Sequence, residues 1–111
     1  MSSLEITEIS AIFGEVLRRH RMRRDISQEE LAYLANVDRT FVSRLERGVR
    51  QPTITTLIGI GLALDVTAAE MVRETEREYL KRAAVATSAA KPARVGEKGN
   101  KYARTRPRKP G

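Results

Sequence analysis

The chain has 111 residues and a formal net charge of +7, with no cysteine, no tryptophan and one histidine. That length predicts one domain with room for a tail. The lack of cysteine excludes disulfides and thiolate metal sites, and His20, with no second imidazole, makes a poor ligand, so neither a metal nor a cofactor is expected.

The first helix is predicted from about Ile9 to Arg24, because Ile12, Phe13, Val16 and Leu17 recur at helical spacing. Its basic half, LRRHRMRR, lies near the C-terminal end, where cations suit the helix dipole. His20 follows Val16 by one turn and reads either as a partly buried or as a solvent residue. Ser27 and Glu30 form a capping box that starts a second helix, QEELAYLA, with Leu31, Ala32 and Ala35 inward. Asn36 and Val37 make a tight break, since asparagine tolerates positive φ.

The third helix is predicted from Arg39 to Arg47. Asp38 is the expected N-cap, its carboxylate accepting from free backbone N–H groups. Gly48 is expected to end the helix in the left-handed region. Phe41, Val42 and Leu45 gather on one side, while Arg39, Thr40, Ser43, Arg44 and Arg47 fan over the other. Guanidinium forks and hydroxyls on an outer face suit base edges and phosphates. Read alone, however, such a face is more often simply solvated.

After a loop closed by Pro52, Thr53 caps a fourth helix, about Ile54 to Leu64. Asp65-Val66-Thr67 breaks the chain again, and Thr67 with Glu70 forms a second capping box. The fifth helix starts at Ala68 and is expected to continue to about Ala84, aided by Glu78–Arg82 and Glu74–Arg77 pairs. No strand pattern and no repeat appears. The predicted domain therefore covers residues 1–84.

The charge is unevenly placed. Up to position 90, thirteen basic residues balance thirteen acidic ones; from 91 to 111, eight basic residues face Glu97 alone. This segment, rich in Pro and Gly and poor in apolar residues, cannot offset its ordering entropy, so residues 85–111 are expected to form a disordered basic tail. The longest apolar run, Leu57 to Leu64, includes two glycines and is too short to span a membrane. MSSLEITEIS shows no signal-peptide pattern. A soluble cytoplasmic protein without a membrane partner is expected.

Two helices joined by a turn of about three residues make a helix-turn-helix, whose second member enters the major groove. Here the stretch SQEELAYLANVDRTFVSRLERGVRQPTITTLIGIGLALDVTAAEMV resembles the phage-repressor/Cro-type (XRE) helix-turn-helix family, over about residues 12–72. The residues that carry it are Gln28, Leu31-Ala32, Ala35, Val37, Val42, Leu45-Glu46, Gly48, Pro52, Leu57 and Ala63-Leu64. The wording DRTFVS is most similar to small controller proteins of restriction–modification systems.

The resemblance implies an all-α, five-helix, lambda-repressor-like domain. It implies that Arg39, Thr40, Ser43 and Arg44 read bases, with Arg39 placed for a bidentate contact to guanine. Gln28, Arg47 and Arg50 would contact phosphates, and Arg21 with Glu46 would form a structural ion pair that orients the third helix. Asp25, Asn36 and Asp65 stand where the family commonly has glycine, at turns that need left-handed backbone. Gly59 and Gly61 inside the fourth helix each cost about 1 kcal/mol against alanine. With Leu62 where many relatives are polar, Gly59, Leu62 and Val66 are the expected surface of a homodimer.

The expected function is that of a sequence-specific double-stranded DNA-binding transcriptional regulator, binding a roughly palindromic operator as a dimer. Two alternatives belong to other classes: an antitoxin or bridging protein whose main partner is another protein, or a weakly specific nucleic-acid binder driven by the basic tail. No catalytic residue is expected, since Ser27 and Ser43 have no histidine partner in a triad-like context. Without a separate ligand-binding domain, a small-molecule effector is not expected either. Operator, regulated genes and sign of regulation are not written in the chain.

Overall fold

The computed structural model describes the backbone of residues 3–90 and the side chains of residues 8–85. Its five helices are α1 (Ser3–Arg24), α2 (Gln28–Ala35), α3 (Arg39–Glu46), α4 (Ile54–Leu64) and α5 (Ala68–Ala90). Two units are distinguished, Met1–Tyr79 and Leu80–Gly111. The first holds α1 to α4 and the start of α5. The described part of the second is the distal end of α5, and residues 91–111, where most of the basic tail was expected, lie outside the described residues.

The caps follow the sequence closely, with one exception. The Ser27 hydroxyl accepts from the Glu30 backbone N–H at 3.0 Å. Thr53 does the same for Thr56 at 3.2 Å, and Thr67 for Glu70 at 3.0 Å. Asp25, Asn36 and Asp65 all take left-handed backbone, with φ of 60°, 58° and 59°. Carboxylate and amide side chains thus stand in for glycine at all three turns. The exception is Asp38. Its backbone is extended as an N-cap should be, and its carbonyl accepts from Phe41 and Val42, but its carboxylate makes no capping bond. Only the favourable placement of its charge at the positive helix end remains.

Helix limits differ from expectation at three ends. α1 starts six residues before Ile9, because nothing between Ser3 and Ser10 breaks a helix. α5 runs on to Ala90, through AAVATSAA. Alanine has the highest helix propensity, so this end is held by local preference where burial gave no periodic signal. The boundary expected at residue 84 therefore falls inside a helix. Arg47 is the C-cap of α3 rather than its last helical residue.

The core of the first unit draws on every helix. Ile12, Val16 and Leu17 of α1, Leu31 of α2, Val42 and Leu45 of α3, Ile60 of α4 and Met71 of α5 are essentially fully buried. Gly61 explains one of the costs within α4. A Cβ there would lie 2.5 Å from the Val66 carbonyl oxygen, so α4 can turn into α5 this tightly only without a side chain. Among the described residues no single helix is long and apolar enough to cross a membrane, and no group of three or more acidic or histidine residues could hold a metal.

Candidate nucleic-acid interface

α3 is held from within and open from without. Val42 and Leu45 are fully buried, and Phe41 packs against the core. On the opposite side Arg39, Thr40, Arg44 and Arg47 are exposed, as is Arg50 in the following loop. Ser43 is half-buried, and its hydroxyl lies 3.4 Å from Arg47 Nε, which donates to it. The loop is set by Gly48, whose φ of 79° lets its N–H reach the Leu45 carbonyl and the Val49 N–H reach the Arg44 carbonyl. A Cβ on Gly48 would also come within 2.7 Å of the Ala11 Cα, so α1 seats directly against this turn.

Behind the exposed face lies a buried polar cluster. Glu46, whose side chain is only 4% exposed, accepts from Arg21 Nε at 2.6 Å and from Arg21 Nη2 at 2.9 Å. Arg21 also donates through Nη1 to the Ile26 carbonyl at 2.9 Å. The hydrogen bond to Glu46 moves the guanidinium pKa still higher, burial opposes this, and the carboxylate charge adds to the rise. Gln28 is half-buried at the start of α2, and its side-chain Nε2 donates to Glu46 Oε1 at 3.0 Å. Its position beside the helix N-terminus is the expected one. Its bond to Glu46 has no signal in the sequence, because eighteen residues separate the two.

A second tether joins α1 to α5. His20 Nε2 lies 3.0 and 3.2 Å from the two Glu74 oxygens, and Arg19 approaches the same carboxylate at 3.8 Å. His20 is therefore a buried structural residue rather than a solvent one. Burial pushes the Glu74 carboxyl up, but hydrogen bonds with His20 and Glu70 and the charges of His20 and Arg19 outweigh it. The net position is below the ordinary glutamate value.

The residues expected at a dimer interface separate. Leu62 is 80% exposed and Val66 is half-buried. Gly59 turns instead toward α2, where a Cβ would stand 3.8 Å from the Ala35 carbonyl oxygen. The open apolar surface of α4 is a stripe of Ile54, Ile58 and Leu62, one turn apart, with 70%, 49% and 80% exposure. Ile54, Ile58 and Leu62 follow one another at intervals of four, and that spacing is the sequence signal for the stripe.

A helix-turn-helix family model matches residues 17–71, which run from the middle of α1 to Met71 of α5. The control protein C.MunI of a Mycoplasma species is 32% identical over 74 residues, covering 66% of this chain and 100% of the relative. The chain belongs to the helix-turn-helix family. The control protein C.SmaI of Serratia marcescens is also 32% identical, over 59% of this chain and 77% of its own length. Among solved structures, the restriction–modification controller C.AhdI from Aeromonas hydrophila superposes with a TM-score of 0.55 at 35% identity, covering 56% of this chain and 94% of that one. A variant of the controller C.Esp1396I, bound to its highest affinity operator site OM, gives a TM-score of 0.58 at 33% identity over 65% of this chain and 95% of that one. The controller-type wording of DRTFVS thus agrees with the relatives found by whole-domain comparison.

Proposed function

We infer that this helix-turn-helix protein is a sequence-specific double-stranded DNA-binding transcriptional regulator that works as a homodimer on a roughly palindromic operator in the cytoplasm. One observation carries the reading. α3 buries Val42 and Leu45 completely while Arg39, Thr40, Arg44 and Arg47 stand on its open side. That face is convex, basic and rigidly backed, which is what insertion into a major groove needs. The operator complex of a controller 33% identical to this chain supports the same role.

Within the face, Arg39 at the N-terminal end of α3 is placed for a bidentate contact to guanine, and Thr40, Ser43 and Arg44 complete the base-reading set. Arg47 and Arg50 flank the α3–α4 turn and clamp phosphates, as does Gln28 at the start of α2. The Ser43 hydroxyl accepts from Arg47, so these two act as a linked pair. Dimerisation through Leu62 and Val66, extended by Ile54 and Ile58, presents two copies of α3 about 34 Å apart, one turn of duplex. The relatives are named as control proteins, and no enzymatic step is assigned to this chain.

Selection of preferred sites from a random duplex pool tests the reading. The expected result is one motif with two related halves whose centres lie one helical turn apart. A pool that emerges unselected, or a purified protein that binds no duplex and carries a stoichiometric second protein, overturns it.

A further inference from the structure

Glutamine is a flexible residue, and ordering its side chain costs rotamer freedom. A phosphate contact made by a free Gln28 would have to meet that cost at the moment of binding. Here Gln28 is already held, since its Nε2 donates to Glu46 Oε1 at 3.0 Å. Glu46 is held in turn by two bonds from Arg21, and Arg21 by the Ile26 carbonyl. One chain of hydrogen bonds thus ties the turn after α1, the last residue of α3 and the first residue of α2.

We propose that Glu46 is the positioning residue for Gln28, fixing its amide before DNA arrives with the NH₂ group inward and one N–H left for a phosphate oxygen. The proposal rests on the DNA-binding reading above. It adds that a residue which touches no DNA acts on affinity through one named neighbour. Electrostatics fit this role. A lone carboxylate behind a phosphate contact would repel the backbone, but the Arg21 guanidinium beside Glu46 neutralises it at short range. Glu46 can therefore serve as acceptor to Gln28 without a net charge facing the duplex.

A double-variant cycle in DNA affinity tests the proposal, using full-length protein below its melting transition. Glu46→Gln retains size but leaves one acceptor oxygen for three N–H donors, Arg21 Nε, Arg21 Nη2 and Gln28 Nε2, that the two carboxylate oxygens now share. It should weaken binding about three- to tenfold, the scale of one net hydrogen bond, equally for a selected site and for random duplex. In a Gln28→Ala background the same substitution should have no further effect. An equal loss in both backgrounds, or a changed ratio between the two duplexes, means that Glu46 acts through the orientation of α3, and the proposal falls. Gln28→Ala without effect on a duplex that the unmodified protein binds also overturns it, leaving the DNA-binding reading intact. Failure of the unmodified protein to bind any duplex removes both. A second measurement needs no variant: the Gln28 side-chain amide in the free protein should show an NMR order parameter near that of rigid backbone, about 0.85. A value below about 0.6, that of a freely moving side chain, contradicts the preset amide.

Discussion

Gly14 of α1 lies directly under the Glu46 carbonyl of α3. A Cβ built on Gly14 would collide with that oxygen, and it would stand 2.6 Å from the Leu45 carbonyl oxygen as well. Both neighbours are backbone, so neither can swing aside. The first helix therefore sets how far the recognition helix stands from the core. Gly14→Ala should destabilise the domain by about 1–3 kcal/mol, the usual cost of overpacking, and weaken every duplex complex. A thermal melting midpoint unchanged by the substitution would show that α3 is free to shift outward.

Arg39 opens the exposed face of α3. Arg39→Ala should cost about 1–3 kcal/mol of binding to the preferred operator and relax the preference at one base position in each half-site. Competition assays against single-base operator variants measure both effects. Uniform weakening across all variants would instead make Arg39 a phosphate contact.

Leu62, Ile58 and Ile54 form the apolar stripe of α4. Placing a charge in the middle of a two-fold contact puts it opposite apolar surface without a partner. Leu62→Arg should shift the protein toward monomer in sedimentation at micromolar concentration and leave its helical content unchanged, since the side chain is exposed in the single chain. If the unmodified protein is already monomeric at high micromolar concentration, this interface does not exist.

Glu74 gives the fold an acid-sensitive point. Its carboxyl lies below the ordinary glutamate value in the folded protein. A depressed carboxyl contributes stability that is fully present above the unfolded value, about 4.3, and is lost as pH falls through the folded value. The tether between α1 and α5 should weaken over that acidic window. Melting curves of the unmodified protein and Glu74→Gln should converge as pH drops below about 4.3. A constant gap between them down to the acid limit would exclude Glu74 as the source.

The basic segment 91–111 carries eight basic residues against one acidic. Its contribution to binding should come from released counterions and be blind to sequence. Removing it should weaken binding to all duplexes and flatten the dependence of affinity on salt, while the ratio of specific to random binding stays the same. A lost operator preference after truncation would assign the segment a reading role.

Local chemistry is legible in the sequence, and most of this fold is local chemistry. Ser27, Thr53 and Thr67 mark helix starts because a hydroxyl reaches a backbone N–H three residues away. Asn36, Asp65 and Gly48 mark helix ends because few residues accept left-handed backbone. The apolar spacing of Phe41, Val42 and Leu45 assigns the inner face of α3, and by subtraction the outer one. Asp38 shows the limit of such reasoning: its type suited the cap, but the carboxylate does not turn to make the bond.

Only the tertiary structure decides which distant residues meet. No spacing rule joins Gln28 to Glu46 or His20 to Glu74, because these contacts depend on where whole helices cross, and crossing is set by packing over the entire core. Likewise Gly59 and Gly61 were recognisable as costly within a helix, but the reason differs for each. Gly61 accommodates the turn into α5, and Gly59 faces α2. The sequence by itself determined the five helices and the side of α3 that faces out, since both follow from interactions within a few residues. The buried cluster behind that face required the fold, since a carboxylate can be withdrawn from water there only when two other segments, α1 through Arg21 and α2 through Gln28, bring their donors to it.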